Sequence, residues 1–193
     1  MTPILDSLPD EWEVLVWVNG SHLSIWTTGE QTDDIPVPDL GPHARFAAIE
    51  YATHNLIYVQ DDDVIVSDPE QIVWESDSGG SEYGRLVCNM PPEFRPHYPD
   101  SAMVGFGAAF HRDLPETAFR EFFAHHHNMS RTDPLFLRES CRIFTVLTPY
   151  ALVDVAKTDM PYCSDDNRLW KDIYHIKYRE EALGLAREVR DAS

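Results

Sequence analysis

Short apolar runs alternate with helix-patterned stretches along the whole chain, and this alternation limits the fold more than any other feature. "EVLVWVNG" (13–20) is an apolar run closed by a turn dipeptide, the pattern of a buried strand. "LIYVQ", "VIV", "RLVCNM" and "AMVGFGAAF" supply further strands. In the last of them, Gly105 and Gly107 leave room for another group to approach the backbone closely. Between the strands, "HARFAAIEYATHN" sets Phe46, Ile49, Ala52 and Thr53 at helical spacing, with Asn55 as the C-cap. "DLPETAFREFFAHHH" predicts a helix capped by Asp113 with Phe119, Phe122 and Phe123 on its buried face. "TDPLFLRESCRIF" predicts another, with Asp133 at the cap and Pro134 in the first turn. A last helix lines up Tyr178, Ala182, Leu185, Ala186 and Val189. The proline-rich stretches "DDIPVPDLGP" (33–42) and "PPEFRPHYPD" read as loops, and "SDSGGSEYG" as a flexible turn. Strands alternating with helices predict an α/β sandwich around a mixed, mostly parallel sheet. With 193 residues, 43% of them apolar, the expectation is a single domain spanning 1–193.

Charge narrows the function classes. The net charge of −18 is unevenly spread: residues 1–100 carry 19 acidic and three basic side chains, residues 101–193 carry 14 and 12. A general DNA-binding surface needs clustered Lys and Arg, which the first half lacks. The acidity fits either a plain acidic cytoplasmic protein or one in which a cation offsets part of the charge. No apolar run approaches membrane-span length, so no membrane partner is expected. "MTPILDSLPDEW" has no basic region and does not read as a secretory signal. Three cysteines, Cys88, Cys141 and Cys163, show no metal-like spacing and read as reduced thiols.

"YVQDDDVIV" is the sharpest candidate site. Asp61, Asp62 and Asp63 repel one another and interrupt β-branched runs that otherwise suit a strand. Ligands of open α/β sheets bind where strands end. If the backbone stays extended, Asp61 and Asp63 point one way and Asp62 the other. Two carboxylates on one side would hold Mg²⁺ or Mn²⁺, ions that complete their shell with water and phosphate oxygens. The bland alternative is a solvated turn. The run His125–His127 invites a zinc reading, but consecutive helical residues point about 100° apart and three such rings cannot all face one ion. Imidazoles at a helix C-terminus also suit the macrodipole. Trp170 and Tyr174 could stack on a sugar, though burial in the core is the simpler reading.

The order of these segments resembles the GT-A glycosyltransferases, and in particular small glycosyltransferases encoded by phages of actinobacteria. "RFAAIEYATHNLIYVQDDDVIV" resembles that family's helix, strand and D-x-D motif, and "WEVLVWVNGS" its second strand. "SAMVGFGAAFHRDLP" looks like the acceptor-side strand, "TDPLFLRESCRIFTVLTP" the segment with the catalytic acid, and "DNRLWKDIYHIKYREEAL" the closing segment. The resemblance runs from Glu11 to about Leu185, and the family's usual first strand has no counterpart, so that strand is expected to be missing. It implies a Mn²⁺ or Mg²⁺ ion on Asp61, Asp63 and His175. It implies a nucleotide-sugar donor, a UDP-sugar foremost, contacted by Asn19, Arg45, Asp61, Asp62 and Arg168, with Lys171 in reach of the donor phosphates. Asp133 would act as acceptor base, a role that competes with helix capping.

The implied reaction moves a sugar from the nucleotide to an acceptor hydroxyl on a protein or a modified DNA base. Two other classes stay open. One is a degenerate, noncatalytic GT-A domain acting as a binding module; the other is a metal-dependent nucleotidyl or phosphodiester enzyme, which needs a second ion and more carboxylates. An uncovered central strand edge would favour a homo-oligomer.

Overall fold

A computed structural model describes residues 2–78, 85–160 and 173–192, with the backbone alone at 2 and 173–175. After a short helix α1 (Thr2–Leu5), strands β1 (Val14–Val18), β2 (His22–Thr27) and β3 (Glu30–Pro36) form an antiparallel meander of their own. Thr28 and Gly29 both take positive φ, 53° and 79°, which matches the two-residue hairpin turn whose twist suits paired strands. Two expectations are corrected here. The segment 33–42 is not all loop, because β3 pairs with β2 as far as Pro36. Strand β1 is half-buried, not buried, and it joins the meander instead of the main sheet.

The chain then turns through Gly41–His43, α2 (Ala44–Ala47) and a 3₁₀ turn at Ala48–Tyr51. This helical stretch stops at Tyr51, before the Asn55 expected from spacing, because Ala52 is already extended at φ −70°, ψ 138°. Phe46 and Ile49 are buried as the periodicity predicts, whereas Thr53 is exposed.

The main sheet has the order β4 (Leu56–Val59), β7 (Ala108–His111), β6 (Leu86–Asn89), β8 (Tyr150–Val153). It is mixed, as expected, but β7 runs antiparallel to both neighbours and only β6 and β8 are parallel. The α/β class therefore holds, and the mostly parallel sheet does not. Within the apolar run 102–110 the strand begins only at Ala108 and continues to His111; Gly105–Gly107 lie in the irregular segment leading into it.

Side chains alternate across the sheet. Leu86, Cys88, Ala108 and Phe110 point into a core shared with α4 (Leu114–His125), α5 (Pro134–Leu147) and α6 (Ile173–Ala192). Val87 and Ala109 point the other way, into a smaller cluster with Val66, Ile72 and Val155 under α3 (Pro69–Asp77). The larger core is an aromatic stack: Phe46, Phe110, Phe119, Phe136 and Phe144 meet at centroid distances of 5.0–6.3 Å, several edge to face. On α6, Ala182, Ala186 and Val189 are buried and Tyr178 and Leu185 partly so, which matches the expected stripe. Asp113 sits at the N-cap of α4, but it makes no side-chain capping bond there; its carboxylate lies 3.5 Å from His111 instead.

This topology gathers one edge of the sheet. Val59 at the end of β4 pairs with Ala108 at the start of β7, and Cys88 near the end of β6 pairs with the same residue. The segments after β4, after β6 and before β7 therefore meet at that edge.

Candidate functional site

The aspartates follow β4 at this edge. The backbone does not stay extended through them: it turns at Asp62–Asp63 before β5 (Val64–Val66) begins and pairs with β9 (Lys157–Asp159). The same-side argument from an extended chain is thus replaced by a turn. Even so, Asp61 and Asp63 are half-buried and Asp62 is exposed.

The turn is held from several directions. Tyr58 Oη donates to Gln60 Oε1 at 2.9 Å, and Gln60 Nε2 donates across the turn to the Val64 carbonyl at 3.0 Å. Burial pushes the Tyr58 hydroxyl well above its ordinary range, so it stays a donor. The Asp61 amide donates to the Gly105 carbonyl at 2.8 Å, and the Met160 amide donates to the Asp63 carbonyl at 2.8 Å. The three charges are therefore fixed by backbone bonds to two distant segments.

Arg45 supplies the countercharge. Its Nη2 donates to Asp61 Oδ1 at 2.7 Å, and its Nε donates to the Pro42 carbonyl at 3.1 Å. Burial works against the guanidinium charge, but the Cys141 sulfur and the Asp61 carboxylate together hold its pKa above the ordinary value. Cys141, on α5, also points its sulfur at the Pro42 carbonyl, 4.0 Å away, and burial raises its own pKa.

Gly105 explains why Asp61 can lie where it does. A Cβ on residue 105 would overlap the Asp61 carboxylate, lying 2.6 Å from its Cγ. The expectation that something approaches these glycines is met: Asp61 approaches Gly105, and the Tyr58 hydroxyl and Ile72 approach Gly107. Gly107 is also at φ +104°, a conformation glycine alone adopts readily.

Asn89 was not legible as a site residue. It is fully buried at the end of β6 and donates from Nδ2 to the carbonyls of Phe106 and Val155, at 2.9 and 3.0 Å. Its Oδ1 accepts from the Val155 amide at 2.8 Å, and its own amide donates to the Gly107 carbonyl at 2.8 Å. One side chain thus ties the glycine loop to the segment that leads into β9. Lys157 on β9 rests 4.1 Å from the Phe106 ring centroid and donates to Asp159 at 2.6 Å. Nothing but a lone Asn after an apolar run marked that role in the sequence.

The remaining expected residues fall elsewhere. Asn19 spends both ends of its amide on the loop that precedes α2: Nδ2 donates to the Gly41 carbonyl and Oδ1 accepts from the Leu40 amide. Asp133 is the N-cap of α5, its Oδ1 accepting from the Leu135 amide at 2.9 Å. It lines a groove of about 360 Å³ with His126, Tyr178 and Glu181. Eight residues of helix, about 12 Å, separate it from Cys141 beside Arg45, so the expected grouping of Asp133 with the aspartate turn is not what the described contacts provide. Arg168, Trp170 and Lys171, and the side chains of Tyr174 and His175, lie outside the described residues, as does Cys163.

As a metal centre, the turn offers two half-buried carboxylates of the kind that hard divalent ions take together with water and phosphate oxygens. Arg45 already neutralises Oδ1 of Asp61, so an ion here would be held through Oδ2 of Asp61 and the Asp63 carboxylate. No protein-family profile, curated protein or solved structure matches this chain.

Proposed function

We propose that the chain is a metal-dependent glycosyltransferase that takes a sugar from a nucleoside diphosphate. The observation carrying this reading is the braced acid turn at the sheet edge. Asp61 is locked against Gly105 by Arg45, while Asp62 and Asp63 follow in a turn tied at both ends. A rigid carboxylate turn at strand ends suits a diphosphate held through Mg²⁺ or Mn²⁺, and such an ion, when bound, neutralises charge on the departing phosphates. Asp63 and Oδ2 of Asp61 would hold it, and His175 joins them in this reading. Arg45 keeps Asp61 oriented, and exposed Asp62 would face the ribose. The ordered GT-A-like motifs of the sequence support the same reading.

A second reading rests on the Arg45–Asp61 pair itself. That pair already balances one charge of the turn, as expected of a noncatalytic GT-A-like module that no longer binds a donor. The nucleotidyl or phosphodiester alternative gains less support, because no third His, Cys, Asp or Glu side chain joins Asp61 and Asp63 in a ligand group among the described residues.

Incubation with radiolabelled UDP-sugars and Mn²⁺ tests the proposal. Donor turnover, or transfer to protein or hydroxymethylated DNA, should occur with the wild-type chain and fall at least about a hundredfold in Asp63→Ala. Absence of turnover with a panel of nucleotide-sugars would favour the noncatalytic module.

A further inference from the structure

The histidine run behaves differently from a helical one. Helix α4 ends inside it: His125 is the last helical residue, and His126 is the C-cap at φ −105°, ψ 62°. The fan of directions that a helix imposes on consecutive side chains is therefore broken between the two, and their rings meet edge to face with centroids 4.8 Å apart.

His126 is oriented from behind. It is 9% exposed, packs on the Phe122 ring at 4.9 Å, and has Nε2 3.0 Å from the Leu185 carbonyl on α6. A carbonyl can only accept, so Nε2 carries the proton and Nδ1 keeps the lone pair. Donation of one ring N–H to a backbone carbonyl is how metal-bound histidines are held in one tautomer.

One turn further along α6, Glu188 supplies a carboxylate. One ligand atom from each of His125, His126 and Glu188 lies within 4.8 Å of the others, and no other such trio occurs among the described residues. Tetrahedral zinc needs ligand atoms about 3.4 Å apart. The exposed side chains of His125 and Glu188 can close that difference by rotamer adjustment, while His126 stays fixed.

We propose that His125, His126 and Glu188 bind one Zn²⁺ ion, with water completing the shell. Two imidazoles and one carboxylate are a donor set for zinc, distinct from the all-oxygen turn at Asp61–Asp63. The ion pins the C-terminal helix α6 to the end of α4, so it acts as a staple on the helical layer. Its existence does not depend on the glycosyltransferase reading.

Calorimetric titration of the full chain with zinc chloride tests this, beside thermal melts with and without zinc. The wild type should bind one equivalent and melt at a higher temperature with zinc. His125→Ala and Glu188→Gln, both at exposed positions, should bind about tenfold more weakly or worse and lose the zinc-dependent rise in Tm. His127→Ala should bind like the wild type. A zinc-dependent rise in Tm that survives His125→Ala, that is lost equally in His127→Ala, or that the wild type lacks altogether would overturn the proposal.

Discussion

Two residues carry energetic conflicts that their surroundings resolve, and both can be tested one substitution at a time. Asp61 sits where a side chain at 105 would be: the three nearest atoms to a Cβ there all belong to its carboxylate. Gly105→Ala should therefore cost about 2 kcal/mol in chemical denaturation. In an Asp61→Ala background the overlap is gone, and the same change should cost under about 0.5 kcal/mol. A double-mutant cycle without that coupling would show that Gly105 serves something other than Asp61. His43 packs among Phe46, Phe119 and Phe136, and its Nδ1 is buried with no hydrogen-bond partner. Burial first, and Arg131 second, lower its pKa from 6.5 to about 4. The unfolded chain then binds a proton that the folded chain refuses between these values. Stability from this group is complete above pH 6.5 and is lost as pH falls towards 4, by up to about 3 kcal/mol. His43→Leu should flatten that part of the stability profile while changing stability little at pH 7. An unchanged acid slope would place the titrating group elsewhere.

At the scale of elements, Asp133 shows how one residue can support two readings. "TDP" before a helix is a capping sequence, and the observed bond from the Leu135 amide to Oδ1 is the cap it predicts. Asp133→Asn should keep most of the helix stability, whereas Asp133→Ala should cost about 1 kcal/mol. If sugar transfer survives both, the residue is a cap alone; if Asn preserves the fold and abolishes transfer, it is also a base. Helices α4, α5 and α6 were legible because their apolar residues recur at 3.6-residue spacing over many turns. The Phe119, Phe122 and Ala182–Ala186–Val189 faces are buried as that spacing requires. Elements set by pairing partners were not legible. Strand β3, reading "EQTDDIP", is almost wholly exposed and exists because β2 accepts its ladder. Strand β7 runs antiparallel to both β4 and β6, and no periodicity encodes that direction. Within the site, the acid triplet and the two glycines announced themselves through unusual local composition. Arg45 was expected from the resemblance, and the structure pairs it with Asp61. Asn89 and Cys141 reach the site through contacts tens of residues away in sequence, so nothing local could mark them.

For the whole molecule, the two halves divide the labour that their charges suggest. The acidic first half contributes the meander, β4 and the aspartate turn, while the more balanced second half contributes the aromatic core and the helical layer. They meet at the sheet edge, where Gly105 and Met160 of the second half bond to the backbone of the turn and hold three negative charges in a small space. Among the described residues no helix is long and apolar enough to cross a membrane. Buried Cys88 and half-buried Cys141 are both held protonated, their pKa values pushed up by desolvation. Neither should react with a disulfide reagent at pH 8 until denaturant is added; prompt labelling of Cys141 would mean that the Arg45 region opens readily. The proposed function requires the aspartate turn to hold a nucleoside diphosphate through a divalent ion. Isothermal titration of UDP in the presence and absence of Mn²⁺, with wild type and Asp63→Ala side by side, addresses it most directly. Manganese-dependent binding by the wild type, weakened about a hundredfold or more in the variant, is the predicted result. Equal binding by both proteins, or none by either, would contradict it.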